Sequence, residues 1–135
     1  MAHKDKKRAL SILVVDDDEL LLNTLREVLL SGGYKVKTAK DGITALKKLQ
    51  IGHFDMVLTD LNMPGMSGLE LLEKIYSEKM NVTPILMSSL SSGEIKSHAS
   101  EKGAYANLDK PFSVNSLLSV IENSMTDKEA GLRQL

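Results

Sequence analysis

The stretch ILVVDDD, residues 12–18, decides the fold of this chain. Four apolar residues in a row, with no polar residue between them, are typical of a strand covered on both faces of a parallel sheet. Three carboxylates follow at the point where such a strand ends. The stretch therefore predicts a buried parallel strand with an acidic group at its carboxyl end.

Four further apolar runs alternate with amphipathic segments along the chain. We interpret these runs as strands at residues 34–39, 56–59, 85–87 and 104–108. Lysines flank the first of the four, which fits an edge strand. The segments between the runs carry apolar residues at helical spacing, with Asp18, Asp41 and Ser113 at N-cap positions. Alternating strands and helices with right-handed crossovers predict an α/β fold with a doubly wound, five-stranded parallel sheet.

Composition and charge exclude several classes of protein. The chain has 135 residues, the size of one domain, and no cysteine, so a disulfide framework and a cysteine-based zinc site are excluded. Its formal net charge of −1 gives no basic field that would favour nucleic acid. No apolar run approaches the roughly 20 residues needed to span a bilayer. We therefore expect a cytoplasmic protein without nucleic-acid or membrane partners.

The chain divides into one folded domain and two short flanks. Residues 1–10 form a basic N-terminal arm, and residues 11–125 contain all the predicted strands and helices. Residues 126–135 are polar and fit either a tail or the start of a linker. The sequence thus predicts one domain, which is either free-standing or part of a longer protein.

The strand ends carry the residues with chemical potential. Parallel sheets of this kind place their ligand sites outside the carboxyl ends of the strands. The residues found there are Asp16, Asp17 and Asp18 after the first strand, Asp60 after the third, Ser88 and Ser89 after the fourth, and Lys110 and Pro111 after the fifth. We expect several carboxylates, a hydroxyl and an ammonium group to meet at one edge of the sheet.

Such an arrangement favours phosphoryl chemistry. Carboxylates held close together repel one another unless a cation lies between them, and Mg²⁺ prefers oxygen ligands of this type. One carboxylate can then act as a nucleophile toward a phosphoryl group. A lysine and a hydroxyl would neutralise and orient the phosphoryl oxygens.

Three stretches resemble the receiver domain of bacterial two-component response regulators. They are ILVVDD at residues 12–17, DLNMPGMSG at residues 60–68 and KPF at residues 110–112, and Ser89 matches a further position. The resemblance implies a flavodoxin-like (βα)₅ fold with the strand order 2-1-3-4-5. It also implies a signalling phosphoacceptor, which is not an enzyme and promotes only its own phosphorylation and dephosphorylation.

The resemblance assigns roles to individual residues. Asp60 corresponds to the phosphoacceptor. Asp16, Asp17 and Asp60 correspond to the Mg²⁺ ligands, together with the backbone carbonyl of Asn62. Ser89 corresponds to the hydroxyl that binds the phosphoryl group.

The remaining site residue and the partners also follow from the resemblance. Lys110 corresponds to the lysine that pairs with the phosphoryl oxygens, and its bond to Pro111 is cis in relatives. The implied donor is a phosphohistidine on a sensor histidine kinase or phosphotransfer protein. The output is a downstream effector protein or a fused output domain, reached through the face formed by the fourth helix, fifth strand and fifth helix, and dimerisation can depend on phosphorylation.

The sequence departs from the family pattern at several positions. Asn107 stands where relatives carry Tyr or Phe, and Leu90 stands where they carry a small residue. Asn62 and Ser91 occupy positions that tune hydrolysis in the family.

Two alternative functions remain open on the sequence. Asp16 and Asp18 also fit the opening motif of haloacid-dehalogenase-like phosphatases, in which the first Asp is the nucleophile. The domain could also be a docking module that works without phosphorylation.

Overall fold

The structure is a computed structural model that describes residues 9–89 and 93–129. Strands and helices alternate throughout these residues. The strands are β1 (Ser11–Val15), β2 (Lys35–Ala39), β3 (Met56–Asp60), β4 (Thr83–Ser88) and β5 (Ala106–Asp109). The helices are α1 (Glu19–Ser31), α2 (Gly42–Ile51), α3 (Gly68–Ser77), α4 (Gly93–Glu101) and α5 (Val114–Glu129).

The strands form one parallel sheet with the order β2-β1-β3-β4-β5. This order confirms the predicted doubly wound, flavodoxin-like fold. It also places β2 at an edge, as the lysines around Val36 predict. Because the order reverses between β1 and β3, the carboxyl ends of these two strands lie side by side at a topological switch point.

Each face of the sheet has its own core. On one face, alternate strand residues such as Val14, Leu58 and Met87 pack with Leu25 of α1 and Leu117 of α5. The opposite face packs against α2 and α3 in one cluster, and against α3 and α4 in a smaller one. Since alternate side chains of a strand point to opposite faces, these clusters fix the direction of every residue that follows a strand.

The predicted N-caps are confirmed. The side chain of Asp18 accepts hydrogen bonds from the backbone N–H groups of Leu20 and Leu21 at the start of α1. Asp41 accepts from Thr44 N at 2.7 Å, and Ser113 Oγ accepts from Ser116 N at 3.0 Å. These bonds satisfy backbone donors that have no partner within the helix. Asp18 is therefore committed to the helix and not to the acidic group beside it.

Each strand after β1 differs from its predicted range by one or two residues at one or both ends, and the two boundaries whose position has a clear physical cause are the start of β5 and the end of α5. β5 begins at Ala106 and not at Ala104, because Ala104 N donates to Ala99 O at 3.0 Å and so closes the last turn of α4. α5 continues through Thr126 to Glu129. The basic arm up to Arg8 and residues 130–135 lie outside the described residues. Among the described helices, none has the length and apolar character needed to cross a bilayer.

Candidate functional site

Three carboxylates meet at the switch point of the sheet. Asp16 and Asp17 follow β1, and Asp60 is the last residue of the neighbouring strand β3. One carboxylate oxygen from each lies within 4.8 Å of the others. Asp16 is 1% exposed and Asp60 is 7% exposed, whereas Asp17 is open to solvent. The structure thus brings together the three side chains that the sequence selects as metal ligands.

Lys110 joins two of these carboxylates. Its Nζ lies 3.0 Å from Asp16 Oδ2 and 2.9 Å from Asp60 Oδ1. The peptide bond between Lys110 and Pro111 is cis, as the resemblance implies. Burial acts to lower the pKa of the Lys110 ammonium, but its hydrogen bonds to Asp60 and Asp16 outweigh burial and hold the pKa above its usual value. The lysine is therefore a fixed positive charge at the edge of the sheet.

Asp16 is held in place from both sides. Its Oδ1 accepts a hydrogen bond from the backbone N–H of Asp18 at 2.9 Å, and its Oδ2 accepts one from Lys110 Nζ. With both oxygens engaged and almost no exposure, Asp16 is positioned as a ligand or counter-charge and not as a free nucleophile.

Asp60 is less completely neutralised. Burial raises the pKa of Asp60 above its ordinary value, and the negative charges of Asp16 and Asp17 raise it further, while Lys110 opposes the shift. Bringing a cation to the group would relieve the repulsion among the three carboxylates.

The donor set fits a hard divalent cation. Three carboxylates and one ammonium leave a summed charge of −2 when all are ionised. Oxygens that bind one Mg²⁺ at about 2.1 Å are at most about 4.2 Å apart, so small side-chain shifts would suffice here. Asn62 is exposed in the loop two residues after Asp60, where the sequence analysis expects its carbonyl to join the set.

The two serines after β4 point in different directions. Met87 packs on the α1 and α5 face, so Ser89 continues that face, and it lines a groove together with Lys110 and Asp18. Ser88 lies on the opposite face and is 2% exposed. Ser89 is exposed and is the serine on the same side of the sheet as Lys110.

An apolar groove that the sequence analysis missed adjoins the site. It has a volume of about 560 Å³ and lies between α1 and the segment that leads into α5. Its apolar lining includes Leu20, Phe112 and Val114. Leu20 is 77% exposed and Val114 is 49% exposed. One available signal was Leu20 itself, an apolar residue that does not belong to the buried face formed by Leu22, Leu25 and Leu29 of α1.

The loop after β3 is held against the site by a close backbone approach. Gly68, the first residue of α3, donates from its N–H to Leu61 O at 2.8 Å. A Cβ atom on Gly68 would fall inside contact distance of the Asp60 carbonyl and lie 2.9 Å from Leu61 Cα. Only glycine therefore allows α3 to begin this close to Asp60.

The departures from the family pattern fall in two regions. Asn107 lies on β5 and pairs in register with Leu86 of β4. Leu90 and Ser91 lie outside the described residues.

Comparisons with known proteins agree with this geometry. The family model described as response regulator receiver domain matches residues 12–122. A crystal structure of a CheY-like response regulator receiver domain protein from Methanospirillum hungatei JF-1 superposes with a TM-score of 0.87 at 30% identity, covering 91% of this chain and 98% of that one. Chemotaxis protein CheY4 of Vibrio cholerae gives 0.81 at 30% identity, covering 86% and 98%.

Curated relatives are longer proteins of two kinds. The DNA-binding transcriptional regulator NtrC of Bradyrhizobium sp. (strain RP501 Parasponia) is 32% identical over 117 residues, which cover 87% of this chain and 24% of that protein. The sensor histidine kinase RcsC of Escherichia coli (strain K12) is 37% identical over 115 residues, covering 85% and 12%. The chain thus spans a quarter or less of these relatives. Because the family model covers most of the chain and the fold and strand order agree, the chain belongs to the response regulator receiver domain family.

Proposed function

We propose that this domain accepts a phosphoryl group on Asp60 and passes the signal to a partner by changing the packing of one face. The observation that carries the proposal is the position of Asp60, which is nearly buried beside two carboxylates and is contacted by Lys110 at 2.9 Å. A nucleophile, a cation-binding group and a fixed positive charge meet at one point.

The reaction is a transfer between two carriers. A carboxylate oxygen of Asp60 forms a bond to phosphorus, while the bond between phosphorus and the imidazole nitrogen of the donor histidine breaks. The imidazole leaves with the electron pair of that bond, and the product is an acyl phosphate on Asp60.

The residues around Asp60 supply charge and orientation. Asp16, Asp17, Asp60 and the backbone carbonyl of Asn62 would hold Mg²⁺, which when bound supplies positive charge to the phosphoryl oxygens. Lys110 is placed to pair with a phosphoryl oxygen, since it already contacts the carboxylate that receives the group. Ser89 lines the same groove as Lys110 and would donate a hydrogen bond to another phosphoryl oxygen.

Two relatives of this chain suggest the proposed donor and the proposed output. RcsC is named as a sensor histidine kinase and NtrC as a transcriptional regulator, and regions of both resemble this chain. A phosphohistidine on a kinase or phosphotransfer protein is therefore the proposed donor. An effector protein or a fused output domain is the proposed receiver of the signal, through α4, β5 and α5. Dimerisation that depends on phosphorylation is part of the same proposal. The proposed location is the cytoplasm, and no membrane or nucleic-acid contact is proposed for this chain.

The domain is proposed to be a signalling switch and not a turnover enzyme. In the phosphatase alternative, Asp16 would be the nucleophile. Asp16 is 1% exposed and has both oxygens engaged by Lys110 and the Asp18 N–H. This burial favours Asp60 as the acceptor.

The proposal is tested by incubating the protein with acetyl phosphate and Mg²⁺ and measuring the intact mass. We expect the mass to rise by one phosphoryl group, to need Mg²⁺, and to return to its starting value once the donor is removed while Mg²⁺ remains. Asp60→Asn should abolish the gain, because the amide is not a nucleophile of this kind.

A matched control uses a different acid next to the site. Asp18→Asn keeps an N-cap residue and lies outside the carboxylate cluster, so it should retain phosphorylation. A gain of mass that persists in Asp60→Asn would contradict the assignment. The absence of any gain in the wild-type protein, with acetyl phosphate or a phosphohistidine donor, would support the phosphorylation-independent docking module instead.

A further inference from the structure

Within the part of the chain that the structure describes, two buried oxygen atoms near the site have no hydrogen-bond partner. They are Ser88 Oγ, at the end of β4, and Asn107 Oδ1, on the adjacent strand β5. Neither atom reaches solvent, and Ser88 is 2% exposed as a whole residue. Buried polar atoms are nearly always hydrogen-bonded in native proteins, so two orphans on neighbouring strands require an explanation.

Both side chains lie on the same face of the sheet. Asn107 pairs in register with Leu86, and Ser88 is two residues further along β4 on the same side. Leu86 packs against Ala99 of α4 and Leu72 of α3. The two orphans are therefore diagonal neighbours on the face that α4 covers, and the two strand ends must move relative to each other before these short side chains can meet.

Their chemistry is complementary. A serine hydroxyl is both a donor and an acceptor, so it can pair with either end of an asparagine amide. The Ser88 hydroxyl could therefore satisfy the Asn107 amide oxygen if the two came within hydrogen-bond distance.

The backbone links this pair to the phosphorylation site. Ser88 precedes Ser89, whose side chain lies on the site face, so the two consecutive hydroxyls point to opposite faces of one strand end. Lys110 N donates to Ser88 O at 2.7 Å. A movement of Ser89 or Lys110 toward a phosphoryl group on Asp60 therefore moves Ser88 relative to β5.

We propose that Asn107 is a positioning residue that receives Ser88 in the phosphorylated packing, and that the Ser88–Asn107 hydrogen bond transmits the signal from Asp60 to α4. The inference rests on the function proposed above. In the unmodified protein the two oxygens are unpaired, which disfavours that packing relative to one in which they pair. Phosphorylation draws the strand end inward, the pair forms, and the face under α4 changes.

The experiment measures the affinity of the protein for beryllofluoride with Mg²⁺, a mimic of the phosphoryl group, by following backbone amide NMR shifts. Four proteins are compared: wild type, Ser88→Ala, Asn107→Leu and the double variant. We expect each single variant to bind beryllofluoride roughly three- to tenfold more weakly, the effect of one net hydrogen bond. The double variant should bind no more weakly than either single variant, because both changes remove the same bond.

The unliganded proteins provide a readout that a purely structural role would change. Removing an unpaired hydroxyl breaks no hydrogen bond and takes away one of the two unsatisfied atoms, so Ser88→Ala should keep or raise the urea midpoint of unfolding. Ser88→Thr keeps the hydroxyl and should restore most of the affinity. In the wild type, beryllofluoride should shift the amides of α4, and in Asn107→Leu these shifts should shrink while those beside Asp60 remain.

The outcomes separate the two proposals. Failure of the wild type to bind beryllofluoride would overturn the proposed function and this inference with it. Normal binding by both single variants, or losses that add in the double variant, would overturn the inference alone. A fall in the urea midpoint of Ser88→Ala would show that the hydroxyl is already paired without phosphorylation, and would also overturn it.

Discussion

Two neighbouring helices, α3 and α4, follow strands that end at the acidic site, yet the sheet holds them very differently. α3 buries Gly68, Leu71, Leu72 and Ile75, whereas α4 buries Ala99 alone. The two helices have similar lengths, so the difference lies in their sequences and not in their size. α3 is therefore anchored in the core by several buried residues, whereas α4 has a single buried residue and is otherwise on the surface.

The polar contacts of the two helices show the same contrast. α3 begins with a capping box in which Ser67 and Glu70 satisfy each other's backbone N–H groups. Apart from the packing of Ala99 and Ile95, α4 contacts its neighbours through exposed polar pairs. These are Lys96 with Asp109 at 3.3 Å and His98 with Glu73 at 2.9 Å. Exposed pairs of this kind contribute little to stability. The comparison indicates that α3 holds Asp60 in position, while α4 can change its packing at low cost.

The strongest test of this contrast removes one apolar side chain from each helix. Leu72 of α3 is fully buried, so Leu72→Ala should lower the free energy of unfolding by about 2–5 kcal/mol. Ile95 of α4 is only partly buried, so Ile95→Ala should cost about 1 kcal/mol, the lower part of the range for single substitutions. Urea unfolding measures both. Equal losses would mean that α4 is as firmly packed as α3.

A second test adds a methyl group at the first residue of each helix. In Gly68→Ala the new Cβ would collide with the Asp60 carbonyl and the Leu61 backbone, which should cost about 1–3 kcal/mol of stability and slow phosphorylation by acetyl phosphate. Among the described residues, none has an atom within 4 Å of a Cβ placed on Gly93 of α4. Gly93→Ala should therefore leave stability unchanged or slightly higher.

The two glycine variants also show whether a loss of stability comes from the contacts around the glycine or from the replacement of a glycine as such. Both changes remove a glycine from the first residue of a helix, so the loss of backbone freedom in the unfolded chain is the same. If both variants lose stability and phosphorylation equally, the close approach of α3 to Asp60 is not what holds the site.

Most of the fold was accessible from the sequence because its signals are local. Runs such as residues 12–15 and 56–59 show continuous burial, and Asp18 and Asp41 show their capping role by position alone. The carboxylate cluster followed from the general rule that parallel strands collect their ligands at one edge.

The directions of the two serines were not accessible in the same way. Side chains alternate along a strand, so an error of one residue in its end exchanges the faces of Ser88 and Ser89. Only the packing of Leu86 and Met87 into separate clusters fixes which serine points to which side. The orphaned state of Ser88 depends further on Asn107, which is distant in sequence.

Element ends were hidden for a similar reason. After α4 ends at Glu101, the N–H of Ala104 still donates to Ala99 O. Because this bond holds Ala104 in the turn after the helix, β5 begins only at Ala106. In α5, Ser124 is polar but buried, and its hydroxyl donates to Ile121 O at 2.8 Å. This bond lets a polar residue remain within the helix, which therefore continues past Met125 where the loss of apolar residues suggests an end.

The smallest expected effect concerns the tie between the two helices. His98 on α4 and Glu73 on α3 are 42% and 47% exposed at their side chains, so a double-mutant cycle with His98→Gln and Glu73→Gln should give a coupling below about 1 kcal/mol. Salt should reduce the coupling, because the Debye length falls to about 3 Å at 1 M. In the variants, amide hydrogen exchange should become faster in α4 and stay unchanged in α3, because the buried residues of α3 hold that helix without the pair. A coupling that salt does not change, or faster exchange in both helices, would show that this surface pair fastens α3 as well and that the two helices move as one unit.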